Sequence, residues 1–295
     1  MDPSQERCWY GDTMTCRNPA SGICTRHQRI TGIYKSEAGP ENMYRIKTTL
    51  ETEPLALGTF VSEVKNPNLA YVLAAAGFDH MIIDNEHSDF SDTEVTTMVA
   101  GARAAGLGVI VRIPEISRGA VMKPLDSGAD ALLVPCVQTS DEVQAVVDWA
   151  MFPPVGHRGC HPRRAANKFM AMDAADYMKQ ANQGVMIFIQ IETGDALANV
   201  DEIAAIPGVA GLYLGPLDMS IAMGVPGKIS DEKVGQATLK MVDACKKYGR
   251  VPGKFVWDKN SAQEAKQMGV RLLTHSADLF MLTDAAARAV KELKG

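Results

Sequence analysis

Val185-Met-Ile-Phe-Ile-Gln-Ile-Glu192 is followed by a helix-like segment and then by Gly211-Leu-Tyr-Leu-Gly-Pro-Leu-Asp218. Each apolar run ends at a carboxylate. Runs of this kind, bounded by turn residues, fit strands buried on both faces, as in a parallel sheet. If the two are parallel neighbours, their C-terminal ends share one edge, and Glu192 and Asp218 stand at one mouth. Two acids so placed suit a hard cation with open coordination positions. They also suit helix N-caps or ion-pair partners, and spacing alone does not separate the two readings.

Outward from this stretch the same rhythm repeats. Apolar strands are predicted at 57–61, 80–84, 108–112, 131–134, 185 onward, 211–214, 251–256 and 271–274. Helices are predicted between them at 69–76, from Ser91 towards Gly106, at 121–127, from Ser140 towards Ala150, at 174–182, from Ser230 towards Gly249, and from Ser261 to Gly269. Ser91–Glu94 and Ser261–Glu264 read as capping boxes, and Ser276 as the opening of a last helix. Eight strands alternating with helices make the count of a (β/α)8 TIM barrel, an α/β fold in a single domain. A doubly wound open sheet is the other candidate, but no glycine-rich phosphate turn follows the first strand.

The barrel is expected to occupy residues 43–295. Residues 1–42, rich in Arg, Gly, Pro, Ser and Thr and without apolar period, read as a poorly ordered N-terminal extension. Six cysteines in 295 residues are too few for a disulfide scaffold. Cys8, Cys16 and Cys24, with His27 nearby, lack the close pairs of a zinc knuckle. The net charge of −5 leaves no footprint for nucleic acid or an anionic membrane, and no apolar run reaches the length of a membrane span. Without a signal-like N-terminus the expected compartment is the cytoplasm. The sixteen methionines read as core filler, and Trp257 as packing.

In a barrel the chemistry sits at the C-terminal strand ends. These carry Asp84-Asn85-Glu86-His87-Ser88, Arg112-Ile113-Pro114, Pro135-Cys136-Val137-Gln138, Gln190-Ile191-Glu192, Gly215-Pro216-Leu217-Asp218 and Thr274-His275-Ser276. An arginine, a histidine and two acids suit chemistry on a 2-oxo acid. A divalent metal chelated by its carboxylate and carbonyl stabilises an enolate, and Arg112 donates to the same oxygen. His87 moves protons near neutrality, and the peptide N–H groups around Leu217 and Asp218 take the carboxylate.

These residues also carry a family resemblance. Asp-Asn-Glu-His at 84–87, Val-Arg-Ile-Pro at 111–114, Gly-Ala-Asp-Ala-Leu-Leu-Val-Pro at 128–135, Pro-Pro-Val-Gly-His-Arg-Gly at 153–159, Gln-Ile-Glu-Thr at 190–193 and Gly-Pro-Leu-Asp at 215–218 resemble the HpcH/HpaI aldolases. These are metal-dependent, class II pyruvate aldolases, and macrophomate synthase is a relative. The resemblance runs from about Met43 to the C-terminus. It implies Glu192 and Asp218 as ligands of a divalent metal, Mg2+ first and Mn2+ or Co2+ next. It implies Arg112 on the keto oxygen, His87 as general base with Asp126 as its paired acid, and Gln190 lining the metal site. Gly215, Leu217 and Asp218 complete the substrate contacts. It also implies a hexamer, a trimer of dimers that exchange their C-terminal helix.

Departures from the family pattern are His275 after strand eight and Cys160-His161 after Gly159, positions that would reshape the acceptor pocket. The expected activity is that of a carbon–carbon lyase, which cleaves or forms 4-hydroxy-2-oxo acids through a metal-bound pyruvate enolate and an aldehyde. An oxaloacetate decarboxylase or a macrophomate synthase-like enzyme would use the same enolate. A malyl-CoA-type lyase lacks a visible coenzyme A site. A non-catalytic barrel serving as a binding or assembly subunit conflicts with the intact strand-end residues.

Overall fold

The computed structural model describes residues 44–294, so the extension expected over 1–42 lies outside the described residues. Eight strands close into one barrel: β1 (Ala56–Val61), β2 (His80–Asp84), β3 (Gly108–Arg112), β4 (Ala131–Val134), β5 (Met186–Ile191), β6 (Gly211–Leu214), β7 (Val251–Val256) and β8 (Leu272–Ala277). Every neighbouring pair is parallel, including β8 with β1. The structure is therefore the expected (β/α)8 TIM barrel.

The alternation of side chains divides the core in two. Ile82, Ile110, Leu133, Phe188, Tyr213 and Leu272 point into the barrel. Their neighbours Ile83, Val111, Leu132, Ile189, Leu212 and Leu273 pack outward under the helices. Both faces are dry, which is why the strands read as continuous apolar runs. Helix α1 (Arg45–Thr52) joins Ile46 and Leu50 to the interior cluster and so seals the end opposite the strand C-termini.

The outer layer is built from α2 (Leu69–Ala76), α3 (Asp92–Ala104), α4 (Arg118–Ser127), α5 (Ser140–Ala150), α6 (Ala174–Gly184), α7 (Gly194–Ala198), α8 (Val200–Ala205), α9 (Pro216–Ala222), α10 (Glu232–Tyr248), α11 (Lys259–Met268) and α12 (Asp278–Lys294). The Ser91–Glu94 capping box forms at the start of α3. The expected box at Ser261–Glu264 does not. Asp258 caps α11 instead, accepting from Ser261 N at 2.8 Å while Ser261 Oγ accepts from Asp258 N at 3.1 Å. The carboxylate is the stronger acceptor, so the helix starts earlier.

Ser276 likewise does not open the last helix. The β1–β8 register shifts between Gly58 and Phe60, and the strand runs on to Ala277. Asp278 then starts α12 and accepts from the N–H groups of Ser62, Glu63 and Val64. This ties the end of β8 to the segment after β1. Along α12 beyond Asp278, Leu279, Phe280, Leu282, Val290 and Leu293 are exposed. No helix among the described residues is long and apolar enough to cross a membrane.

Candidate active site

The C-terminal ends of the strands surround a cavity of about 530 Å3. Six of the residues singled out from the sequence line it: His87, Arg112, Gln190, Gly215, Leu217 and Asp218. Arg112 and Gln190 sit at the ends of β3 and β5, and the others follow β2 and β6, so the parallel strand order brings all six to one mouth.

Arg112, the last residue of β3, is buried. Its Nε donates to Asp84 Oδ1 at 2.9 Å and its Nη2 to Asp84 Oδ2 at 2.6 Å. Nη1 lies 3.0 Å from Glu86 Oε2, and the guanidinium sits 4.9 Å from the centre of the Phe60 ring. Burial works against the charge. The hydrogen bonds and charge of Asp84, with the charges of Glu86 and Glu192, outweigh it and hold the guanidinium above its ordinary range. Of five N–H groups, Asp84 takes two and Glu86 faces a third, which leaves two.

Asp84 also accepts from the backbone N–H groups of Glu86, at 3.1 Å, and His87, at 3.3 Å. One carboxylate thus orients both the arginine and the turn that carries the histidine. The His87 ring is two-thirds exposed, with Nε2 3.7 Å from Glu86 Oε2. Asp84 and Glu86 thus hold the arginine and the histidine turn, a part that the strand-end motif alone does not assign to them.

Glu192 follows β5 and is only 5% exposed. Its Oε1 accepts from Cys136 N at 2.7 Å, and its Oε2 accepts from Gln190 Nε2. Cys136 reaches this position with a left-handed backbone, φ 55°. Burial pushes the Glu192 carboxyl up. Its two hydrogen bonds pull it down, and the charges of Glu86 and Asp218 push it up again. A buried carboxylate, Glu192, that feels the charges of half-buried Glu86 and exposed Asp218 is an arrangement that a bound cation offsets. Glu86, Cys136 and Glu192 also bring ligand atoms within 4.8 Å of one another. Gln190 is buried, and its Oε1 has no partner among the described residues. Of Glu86, Cys136 and Glu192, the two carboxylates suit a hard divalent metal, and the Cys136 thiol, pushed up to about 12 by burial, does not. Asp218, the other expected ligand, is not in that group but lines the cavity.

Gly215 is required by close approach. A Cβ there would stand 2.8 Å from Glu192 Oε2 and 3.1 Å from Gln190 Nε2. Pro216 opens α9, whose first internal bond runs from Met219 N to Gly215 O. The N–H groups of Leu217 and Asp218 precede that bond at the cavity wall.

The expected pairing of Asp126 with His87 is not formed within the chain. Asp126 lies on α4, in the outer layer, where Arg158 Nη2 donates to it at 2.7 Å and Arg164 lies 3.9 Å away. The loop before α6 supplies both arginines and holds the acid there. Cys160, His161 and His275 do not line the mouth cavity. Trp257 does, although the sequence reads it as packing.

Parallel barrel and strand-end site together define an enzyme that works at the C-terminal face of the fold. Residues 57–285 match HpcH/HpaI aldolase/citrate lyase, and the chain belongs to this family. It is 33% identical over 251 residues to the hydroxypyruvate/pyruvate aldolase of Paraburkholderia phytofirmans, covering 83% of this chain and 95% of that protein. The crystal structure of an HpcH/HpaI aldolase from Desulfitobacterium hafniense DCB-2 superimposes with a TM-score of 0.81 at 32% identity, over 84% of this chain and 96% of that one. Macrophomate synthase is a more distant structural relative, with a TM-score of 0.69 at 25% identity over 86% and 91% of the two chains. The protein is a carbon–carbon lyase of the pyruvate aldolase type.

Proposed function

We propose that the enzyme forms and cleaves 4-hydroxy-2-oxo acids by way of the enolate of pyruvate and an aldehyde. One observation carries this reading: a half-free guanidinium and a carboxylate-rich wall share a single cavity, with Arg112, Gln190 and Asp218 all lining it. The ligands of a divalent metal would be Glu192 and Asp218, with Mg2+ first and Mn2+ or Co2+ next. When bound, such an ion supplies Lewis acidity toward the 2-oxo acid.

The chain's own groups do the rest. Arg112 offers its two remaining N–H groups to the keto oxygen and stabilises the charge that grows there as a methyl proton leaves. The N–H groups of Leu217 and Asp218, at the open start of α9, donate to the substrate carboxylate. His87, exposed at the rim, exchanges the proton with solvent. Asp84 keeps both Arg112 and the His87 turn in place. Gly215 leaves the wall bare, so that substrate reaches Glu192.

Assembly into a homo-oligomer, the hexamer with exchanged C-terminal helices, accords with the exposed Leu282, Val290 and Leu293 of α12, which lie beyond the mouth cavity. A cytoplasmic enzyme of small-molecule metabolism accords with the composition.

Exchange of the pyruvate methyl protons in D2O, followed by NMR, tests the reading without a choice of aldehyde. The expected result is exchange with Mg2+ or Mn2+ that stops on chelation. No exchange in folded, metal-loaded protein overturns it.

A further inference from the structure

The mouth cavity has two unlike sides. Asp84, Arg112, Gln190 and Asp218 make the polar one. The other is a chain of four aromatic rings that also line the cavity. Phe60 on β1 stands 5.8 Å from Phe255 on β7, Phe255 meets Trp257 edge-on at 4.6 Å, and Trp257 lies 6.3 Å from Phe280 on α12. The series begins under the Arg112 guanidinium, at Phe60, which is 8% exposed, and ends in solvent at Phe280, which is 55% exposed. Three separate parts of the barrel supply these rings, and Asp278 holds the Phe280 end by accepting from the backbone after β1.

Large aromatic side chains left at the surface mark a place where something apolar binds. A polyhydroxylated acceptor would need a hydrogen-bond partner for each hydroxyl. On this side Ser62 Oγ is already donated to Asp278, and Glu63 stands exposed. The indole N–H of Trp257 is one further donor, but ring faces and edges make most of this wall, and these suit another ring in offset or edge-on contact.

Building on the enolate reading, we infer that the acceptor is an aldehyde bearing an aryl group. Its carbonyl carbon meets the nucleophile near Arg112, and its ring lies along Phe255, Trp257 and Phe280. In the step itself the methyl carbon of the 2-oxo acid loses one proton and bonds the aldehyde carbon, whose oxygen gains one. Every atom is kept and nothing is oxidised or reduced. The product is a 4-hydroxy-2-oxo acid with an aryl tail.

The test compares kcat/KM for 3-phenylpropanal and for glyceraldehyde, each with pyruvate, in the wild-type enzyme and in Trp257→Ala and Phe255→Ala. The wild type is expected to prefer the aryl aldehyde by at least about tenfold. Each substitution should lower the ratio of the two values by roughly 10- to 100-fold. A preference for glyceraldehyde, or a ratio that neither substitution moves, overturns the inference. Pyruvate methyl exchange in the wild type, run without aldehyde, separates the two readings. Exchange without aryl preference sinks the acceptor assignment alone, whereas no exchange sinks both.

Discussion

Arg112 and Asp84 form a two-point clasp, Nε to Oδ1 at 2.9 Å and Nη2 to Oδ2 at 2.6 Å, between residues that face each other in the β2–β3 register. The clasp fixes the plane of the guanidinium and hence the direction of the N–H groups left for substrate. A lysine would keep the charge but lose the plane and the second bond. Arg112→Lys is therefore expected to fold and to lose about 10²- to 10³-fold in pyruvate exchange rate. Asp84→Asn should lose activity too, because the arginine and the His87 turn both lean on that carboxylate. Circular dichroism checks the fold and NMR exchange the rate. Near-wild-type exchange in Arg112→Lys would remove Arg112 from the mechanism.

Burial, and after it the charges of Glu86 and Asp218, raises the Glu192 carboxyl above the usual range. Glu192→Gln removes the charge; its amide oxygen can still accept from Cys136 N, and its NH2 can donate to the unpartnered Oε1 of Gln190 once that amide flips. The metal-free protein should therefore melt no lower than the wild type, and about 2–4 °C higher if no longer burying that charge is worth about 1 kcal/mol. The rise in Tm that Mg2+ or Mn2+ brings to the wild type should disappear, because an ion that no longer binds no longer stabilises. Thermal melts with and without metal, beside calorimetric titration, read both effects. An unchanged metal-dependent rise in the variant would end the ligand assignment.

The fold was legible because strands dry on both faces leave unbroken apolar runs, and β2, β3, β4, β6 and β7 fall on the expected residues. The mouth residues were legible for a related reason: parallel strands deliver their last residues to one edge, so Arg112, Gln190 and Asp218 had to meet. What escaped depends on three-dimensional register. Asp84 ends β2 and Arg112 ends β3, two strands of equal length, and an acid facing an arginine in such a pair is a signal the sequence does carry. Glu86 and the Cys136 N–H depend on how the turns fold back, and no spacing states that. The partner of Asp126 is set by Arg158 in an irregular loop. Trp257 reads as packing because its apolar body is as fit for a core as for a cavity wall.

His80 gives the barrel a built-in acid sensitivity. It starts β2 with its side chain inside the barrel, fully buried, and neither ring nitrogen has a hydrogen-bond partner among the described residues. Gly58 on β1 packs against the ring so closely that a Cβ there would stand 2.3 Å from it. Burial lowers the imidazole from 6.5 to about 3, so the fold accepts only the neutral ring. The unfolded chain binds a proton at higher pH than the folded one. This contribution is therefore complete above the unfolded value and is lost as pH falls from 6.5 towards about 3. Between pH 7.5 and 5.5 the loss is about 1.4 kcal/mol from this group. His80→Leu removes the titration and leaves no polar atom to satisfy. Urea unfolding at the two pH values should show a smaller drop in the variant than in the wild type, by about that amount. Equal drops in the two proteins would mean that the folded barrel tolerates the charged ring, and that its acid sensitivity arises elsewhere.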